Sequence, residues 1–371
     1  MPTLIKRNRL FMAVFPILFI VGCLAANPVQ SGASNIKQDE TVEFFRTSAW
    51  QDKTTGQWHV PIHGWIYEPQ NSTVRKKIFA TVMNKKFDLK VDAANEKYFD
   101  ERVNLFIADN ERGKVIYIKI AGKTIKLPAS APNGHFETVI KLDEAAVAAN
   151  AKNNILSYSA VTRSGEKRRF AGEVLLVPPT GFSVISDIDD TIKVSFITDT
   201  KKMLAYTFLR EFEAAPGMPQ LYRDWQNHNT AFHFVSSSPW YLYPPLRDFV
   251  DRNAFPKAAF SLKYVRFRDE TFFNMFKKGT ETKPAQIEPI LRQYPDRKFI
   301  LVGDSGEQDP EVYAGIYRRF SKQIIRIFIR NVNNSKDSDA RYRKVFAGID
   351  KNIWQLFTDT QYLPTTPEIR P

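Results

Sequence analysis

The stretch FSVISDIDDTIK, residues 182–193, decides the fold of the second half of this 371-residue chain. An apolar run ends at Asp187, and Asp189 and Asp190 follow it closely. A capped, solvated turn would account for one or two of these carboxylates but not for the cluster. Because burying like charges together is costly, the cluster predicts a compensating cation, and we expect Mg²⁺. An EF-hand loop is excluded, because Ile192 stands where that loop needs glycine.

The chain after this stretch alternates apolar strands with helical segments. We expect strands at 230–235, 260–265, 298–302 and 324–329, and helices at 218–225, 242–252, 284–292 and 311–320. This alternation predicts an α/β fold over residues 182–350, in which a doubly wound parallel sheet carries helices on both faces. Residues 351–371 are interpreted as a C-terminal tail. Ligands of such sheets lie at the carboxyl ends of the strands.

Polar residues follow two more of these strands. Ser236 ends the strand at 230–235, and Asp304 and Asp309 follow the strand at 298–302. Lys283 opens the helix at 284–292, which leads into the strand at 298–302. A cation there opposes the helix dipole, so Lys283 either faces the carboxylates and a phosphate or is simply solvated. The GDSG sequence at 303–306 does not indicate a serine protease, because that site needs an all-β context and a matching histidine.

The first half of the chain has a different pattern. Residues 41–178 contain alternating segments punctuated by Gly, Asn and Pro, which predicts a β-rich, sandwich-like domain. Two stretches, 73–87 and 93–108, are interpreted as helical inserts. The sequence PPTG at 178–181 marks the boundary before the α/β domain.

The N-terminus has the features of a targeting segment. Residues 1–26 place three basic residues before an apolar stretch at 10–21, which predicts a secretory signal peptide. The sequence IVGC at 20–23 resembles a bacterial lipobox, so we expect lipidation at Cys23, with ordinary cleavage near Ala25 or Ala26 as the alternative. Residues 27–40 are interpreted as a tether. We therefore expect an exported protein of the bacterial periplasm or cell envelope, anchored through Cys23.

Together, the motifs resemble a known superfamily. Asp-x-Asp-x-Thr after a strand, a strand-ending serine, a lysine and Gly-Asp-x4-Asp follow in the order of the four motifs of haloacid dehalogenase-like phosphatases. Three stretches of the sequence are similar to the actin-patch-associated phosphatidate phosphatase family: DIDDTIK at 187–193, VSSSPW at 235–240 and FILVGDSGEQDPEVY at 299–313. The resemblance covers residues 182–331 and implies a haloacid dehalogenase-like domain.

The resemblance implies a role for each motif residue. Asp187 would be the nucleophile that forms an aspartyl phosphate. Asp189 would protonate the leaving alkoxide and then activate water, and Thr191 would orient the loop. Ser236 and Lys283 would hold the phosphoryl oxygens.

The resemblance also implies the metal ligands. Mg²⁺ would be bound by Asp187, the backbone carbonyl of Asp189, and Asp304, and would offset the repulsion between carboxylate and phosphate. Asp309 would support these ligands rather than bind the ion directly.

The spacing of the motifs bears on the substrate. The intervals from Asp187 to Ser236 and from Ser236 to Lys283 are too short for a large cap domain, so we expect an open site. Aromatic and basic residues at 240–243 and 272–278 are interpreted either as a membrane-docking rim or as core packing. A rim would suit a lipid phosphate, and phosphatidate is the expected substrate.

Two other functions are also compatible with the sequence. The same chemistry can serve a soluble or cell-wall phosphomonoester, and a non-catalytic module can recognise phosphate without hydrolysing it. The net charge of +13 favours anionic partners, among which we expect a membrane surface and no nucleic acid. The sequence makes no prediction of oligomeric state.

Overall fold

The computed structural model describes residues 32–265 and 282–367. Within these residues, two separate sheets form, one from each half of the chain. No helix of the two described segments is both long and apolar enough to cross a lipid bilayer.

The first half folds around a nine-stranded sheet. Its elements are β1 Thr41–Phe45, β2 Thr47–Gln51, β3 Trp58–Glu68, α1 Thr73–Phe87, α2 Glu96–Phe106, β4 Asp109–Asn110, β5 Tyr117–Ile120, β6 Lys123–Lys126, β7 His135–Leu142, α3 Glu144–Asn150, β8 Ile155–Ala160 and β9 Ala171–Val177. The long strand β3 pairs with β1 and β2, and also with β4 and β7. A parallel pairing of β2 with β9 continues the sheet through β8 and β5 to β6.

The described part of the expected tether, residues 32–40, lies against this sheet. The backbone N–H of Ser34 donates to the carbonyl of Val161 (2.8 Å). Glu40 is fully buried and forms an ion pair with Lys114 (2.5 Å). Because a buried carboxylate needs such a partner, this segment is held in place and is not a free tether over residues 34–40.

The second half folds around a six-stranded sheet in which every pairing is parallel. Its elements are β10 Phe182–Asp187, α4 Thr200–Phe208, α5 Met218–Gln226, β11 Ala231–Pro239, α6 Tyr243–Arg252, β12 Ala259–Lys263, α7 Thr282–Gln293, β13 Lys298–Asp304, α8 Asp309–Phe320, β14 Ile324–Arg330, α9 Ala340–Val345 and β15 Trp354–Phe357. The predicted mixed α/β fold with a parallel sheet is confirmed. The expected boundary at residue 350 is not observed, because β15 pairs with β14 and completes the sheet.

The strand order, β12-β11-β10-β13-β14-β15, positions the site. The chain starts in the middle with β10, moves outward to β12, and then returns to the other side of β10 with β13. The carboxyl ends of β10, β11 and β13 therefore meet where the order reverses, which is where ligands of open α/β sheets bind.

Helices cover both faces of the parallel sheet. Successive side chains of a strand point to opposite faces. Val184 packs in a core that includes residues of α4, α5 and α6, whereas its neighbour Ile185 packs in a core with residues of α7, α8 and α9. The sheet is thus doubly wound, as expected.

Arg297 fastens the connection between the two sheets. Its guanidinium is 1% exposed and donates to the carbonyl of Pro178 (2.7 Å) and to the hydroxyl of Ser183 (2.8 Å), and it also bonds the carbonyls of Thr180 and Phe182. Burial lowers the pKa of Arg297 to about 10. One side chain therefore satisfies several backbone carbonyls at the predicted boundary.

The helices α1 and α2 connect the two halves. They occupy the segments interpreted as helical inserts, and Phe79 of α1 packs against Phe208 of α4 with ring centroids 5.3 Å apart. Arg102 of α2 donates to the carbonyls of Thr207 (2.9 Å) and Arg210 (2.5 Å). The inserts therefore pack on the α4 side of the parallel sheet.

Candidate active site

The loop after β10 is closed by Asp190. This residue has a left-handed backbone (φ 54°), and its carboxylate accepts hydrogen bonds from the backbone N–H groups of Ser195 (2.8 Å), Phe196 (2.9 Å) and Ile197 (2.6 Å). Three amide donors compensate its charge, so Asp190 stabilises the loop and needs no cation.

Asp187 lies at the end of β10 and is 1% exposed. Its Oδ1 is 2.8 Å from Nζ of Lys283, and its Oδ2 accepts a hydrogen bond from the Thr191 hydroxyl (3.1 Å). The predicted nucleophile is therefore held by a cation and by the threonine four residues later.

Lys283 is buried in the first turn of α7. Besides Asp187, its ammonium contacts Glu307 (3.0 Å) and Asp309. Burial lowers the pKa of Lys283, but the attraction of the carboxylates outweighs burial and raises it well above its usual value. The lysine is therefore a permanent cation facing the carboxylates, not a solvated one.

Asp187, Asp304 and Asp309 form a buried acidic trio, with one oxygen of each within 4.8 Å of the others. Burial is the main cause that raises the pKa of all three carboxyl groups. Repulsion from Glu307 adds to it at each of them, and repulsion from Asp309 adds to it at Asp187 and Asp304. Lys283 supplies one positive charge for the three groups. Further positive charge would therefore stabilise the trio.

Asp304 shows the same shortage at the level of single atoms. Its Oδ1 accepts from the backbone N–H groups of Gly306 (2.7 Å) and Glu307 (3.1 Å). Its Oδ2 is buried and has no hydrogen-bond partner among the described residues. An unpartnered carboxylate oxygen among other carboxylates fits a hard divalent cation, so this trio can hold a metal ion.

Asp189 lies outside the trio, in its own network. Its Oδ1 contacts Nζ of Lys193 (2.8 Å) and the Ser195 hydroxyl (2.8 Å), and its Oδ2 accepts from the hydroxyls of Ser236 (3.1 Å) and Ser238 (2.9 Å). Burial raises the pKa of Asp189, but Lys193 and the hydroxyls outweigh it and lower the pKa to about 2. The side chain is therefore a carboxylate in this structure.

The motif residues form two networks at this edge of the sheet. One network joins Asp187, Thr191, Lys283, Asp304 and Asp309, and the other joins Asp189 and Ser236. Four more side chains, to which the motifs give no role, also line the site: Lys193, Ser195, Ser238 and Glu307. Two of these residues could have been identified from the sequence. Lys193 lies four residues after Asp189, and Ser238 belongs to the serine run at 236–238.

Of the two interpretations of the aromatic residues at 240–243, core packing is confirmed and the membrane-docking rim is wrong. Trp240, Tyr241 and Tyr243 are 5%, 6% and 1% exposed, respectively, so they cannot dock on a membrane. Trp240 stacks on Phe45 of β1 with ring centroids 4.3 Å apart. The first half of the chain covers the apolar surface of these aromatics, so they are part of the packing between the two sheets. Residues 272–278 lie outside the described residues.

The site region matches a known family. Residues 182–331 match the family described as "Phosphatidate phosphatase APP1, catalytic domain". The chain is 36% identical over 165 residues to "Phosphatidate phosphatase APP1" of Saccharomyces cerevisiae. The aligned region covers 43% of this chain and 27% of that protein. An uncharacterized protein of Schizosaccharomyces pombe is 30% identical over 250 residues, 64% of this chain and 41% of that protein.

These matches cover only part of each relative, since the chain spans less than half of the length of either curated protein. Among solved structures, a ferredoxin-NADP+ reductase from Plasmodium falciparum aligns with a TM-score of 0.19 and 9% identity, over 78% of this chain and 95% of that chain. A TM-score this low does not indicate a shared fold. The predicted resemblance to the phosphatidate phosphatase catalytic domain is confirmed by the family match and the yeast relative.

Proposed function

We propose that this chain is a Mg²⁺-dependent phosphomonoester hydrolase whose substrate is phosphatidate, because residues 182–331 match the phosphatidate phosphatase APP1 catalytic-domain family. The observation that carries the proposal is the position of the Asp187 carboxylate, 2.8 Å from the buried Lys283 ammonium at the point where the strand order reverses. We also infer a haloacid dehalogenase-like fold for residues 182–357, supported by the strand order and the helices on both faces.

The proposed first step transfers the phosphoryl group to Asp187. An oxygen of Asp187 forms a bond to phosphorus, and the bond from phosphorus to the ester oxygen breaks. Lys283 and the Ser236 hydroxyl bind the phosphoryl oxygens, where negative charge is concentrated. The departing alkoxide takes a proton from Asp189.

The proposed second step hydrolyses the aspartyl phosphate. Asp189 removes a proton from water, the water oxygen bonds to phosphorus, and the bond between phosphorus and Asp187 breaks. The surroundings of Asp189 favour the carboxylate that this step needs. Protonation for the first step is favoured when Ser236 and Ser238 turn to the phosphoryl oxygens, because a hydroxyl donates to one acceptor at a time.

Asp187 and Asp304, with the backbone carbonyl of Asp189, would hold the Mg²⁺, and Asp309 would orient Lys283 and the Asp304 backbone beside them. When bound, the ion lowers the repulsion between the nucleophile and the phosphate. The backbone N–H of Asp304 donates to the carboxylate of Asp309 (3.2 Å), which is consistent with Asp309 positioning Asp304. Export to the cell envelope and lipid attachment at Cys23 remain part of the proposal.

The test is release of inorganic phosphate from short-chain phosphatidate in mixed micelles, with Mg²⁺ or EDTA. We expect release that needs Mg²⁺ and is abolished by Asp187→Asn, with Asp143→Asn, an exposed residue, as the matched control. Hydrolysis of an aryl phosphate but not of phosphatidate would reject the lipid substrate. No hydrolysis of either compound would reject the enzyme and favour a phosphate-binding module.

A further inference from the structure

The helix α1 has an unusual charge. Its 15 residues, TVRKKIFATVMNKKF, include five basic residues and no acidic residue. Arg75 and Lys76 are used within the protein, since they contact Asp109 (3.8 Å) and Asp100 (2.7 Å), respectively. The remaining three, at positions 77, 85 and 86, have no carboxylate within ion-pair distance among the described residues, and all three are exposed.

The helix is also apolar on two sides. Phe79 and Met83 are buried against the core. Val74 and Ile78 are 68% and 58% exposed, respectively, and lie one turn apart. At 100° per residue, Val74, Ile78 and Lys85 fall on the side opposite Phe79 and Met83. A surface helix normally needs one apolar face, so the second one is not explained by packing of the described residues.

We define the α1 face as the exposed residues Val74, Ile78, Lys77, Lys85 and Lys86. Lys86 lies at the edge of this face, about 80° around the helix from Ile78 and beside the buried side. Aliphatic side chains surrounded by unpaired lysines are the combination that binds the interface of an anionic bilayer, where the lysines attract the lipid head groups and the aliphatic groups enter the acyl boundary. The charge of this face therefore complements a negatively charged membrane.

The C-terminal end of α1 is connected to the loop of the candidate active site. Asp88, which ends α1, forms an ion pair with Lys201 of α4 (2.9 Å). The residue that caps α4, Asp199, follows Phe196 and Ile197, whose backbone N–H groups are bound by Asp190. The Asp88–Lys201 pair thus connects α1 to the helix that follows the active-site loop.

We propose that the α1 face binds the surface of an anionic lipid bilayer. This inference rests on the proposed function, because a phosphatase of phosphatidate must reach a head group in a membrane. It replaces the aromatic residues at 240–243, which are buried, as the membrane contact.

The test uses the chain from residue 27 onward, which contains the whole compact unit that begins at Gly32 and has no cysteine. Binding is measured by co-sedimentation with vesicles of phosphatidylcholine alone or with added phosphatidylglycerol. We expect binding only to the anionic vesicles, weakened by salt. Replacing Lys77, Lys85 and Lys86 by alanine should weaken binding on the order of 100-fold.

The matched control replaces three exposed lysines of the first half with alanine: Lys126, Lys141 and Lys152. It changes the charge equally and should weaken binding much less. A second pair, Val74→Ser with Ile78→Ser, should also weaken binding, on the order of tenfold. Equal weakening by both lysine triples would overturn the proposal, because it would indicate a general charge effect.

A labelled cysteine locates the contact. We expect an environment-sensitive fluorophore on Ile78→Cys to shift to the blue with anionic vesicles, and the same label on Val139→Cys, another exposed aliphatic position, to stay unchanged. Absence of vesicle binding by the parent chain would overturn the docking proposal. Hydrolysis of a soluble aryl phosphate, which the α1 variants should retain, tests the proposed function separately.

Discussion

The Nζ of Lys193 lies 2.8 Å from Oδ1 of Asp189, and their side chains are 3% and 13% exposed, respectively. The two residues are four apart but not on a helix, because the left-handed backbone of Asp190 turns the chain between them. Lys193 also contacts the Ser195 hydroxyl. The loop of the first motif therefore supplies both the carboxylate and the cation that compensates it.

Replacing Lys193 with methionine should destabilise the protein by about 3 kcal/mol, because it leaves a buried carboxylate without its cation. The loss should be partly recovered in the double variant with Asp189→Asn, which removes the unpaired charge. Urea unfolding at neutral pH measures both effects. The control is Lys53→Met, whose partner Asp296 is exposed, and which should cost at most about 1 kcal/mol. Equal costs at both positions would contradict the expectation.

Removing the charge of Asp304 should have opposite effects with and without metal. In EDTA, Asp304→Asn should stabilise the protein by about 1 kcal/mol, because it relieves repulsion from Asp187 and Asp309. The parent should gain about 2.7 kcal/mol in Mg²⁺ at a hundred times the dissociation constant. Thermal unfolding should show this gain in the control Asp143→Asn and not in Asp304→Asn. A full Mg²⁺ response in Asp304→Asn would exclude the trio as the metal site.

Arg297→Lys should destabilise the protein by about 3 kcal/mol, even though the charge is kept. Lysine lacks the planar fork that reaches several carbonyls, so buried acceptors at residues 178–182 lose their donors. Arg292, which is 70% exposed at its side chain, provides the control Arg292→Lys, with an expected change within about 0.5 kcal/mol. The free energy of unfolding in urea distinguishes the two positions.

The histidine pair between the sheets should make stability depend on pH. Nε2 of His63 is 3.1 Å from Nδ1 of His135, and burial lowers the pKa of His135 to about 4. Since an unfolded histidine titrates near about 6.5, the unfolded state binds more protons between these values. This contribution to stability is therefore present above about pH 6.5 and is lost as the pH falls toward 4.

His135→Gln should reduce this dependence on pH, by on the order of 2 kcal/mol between pH 7 and pH 4.5. The comparison needs only the difference in unfolding free energy between the two pH values, so a constant cost of the substitution does not matter. His228→Gln, at an exposed residue, should keep the parent's dependence. The same dependence in all three proteins would show that the buried pair does not control it.

Much of the fold was predictable from local patterns. The apolar run at 182–186 and the helix at 218–225 were recognisable because their patterns depend only on nearby residues. The strand β15 was not predicted, because Trp354–Phe357 is short and becomes a strand only by pairing with β14. The burial of Trp240, Tyr241 and Tyr243 was equally inaccessible, since it depends on β1, about 200 residues earlier in the chain.

The residues of the candidate site were predictable from the sequence, but the contacts among them were not. The order of the motifs was sufficient to predict that Asp187, Asp304 and Lys283 meet, because parallel strands end at the same edge of a sheet. The separation of Asp189 from this group was not predictable. It depends on Lys193, Ser236 and Ser238 lying within hydrogen-bond distance of one carboxylate.

The sequence alone determined that this chain places a cluster of carboxylates, a serine and a lysine at the ends of parallel strands, because residue spacing and apolar periodicity specify where strands end. Tertiary structure decided which carboxylate each cation neutralises and which aromatic residues are covered. Both depend on distances of a few ångströms between elements far apart in the chain, and electrostatic attraction and burial change steeply over such distances. For the same reason, only the structure showed that the exposed apolar and basic surface is on α1.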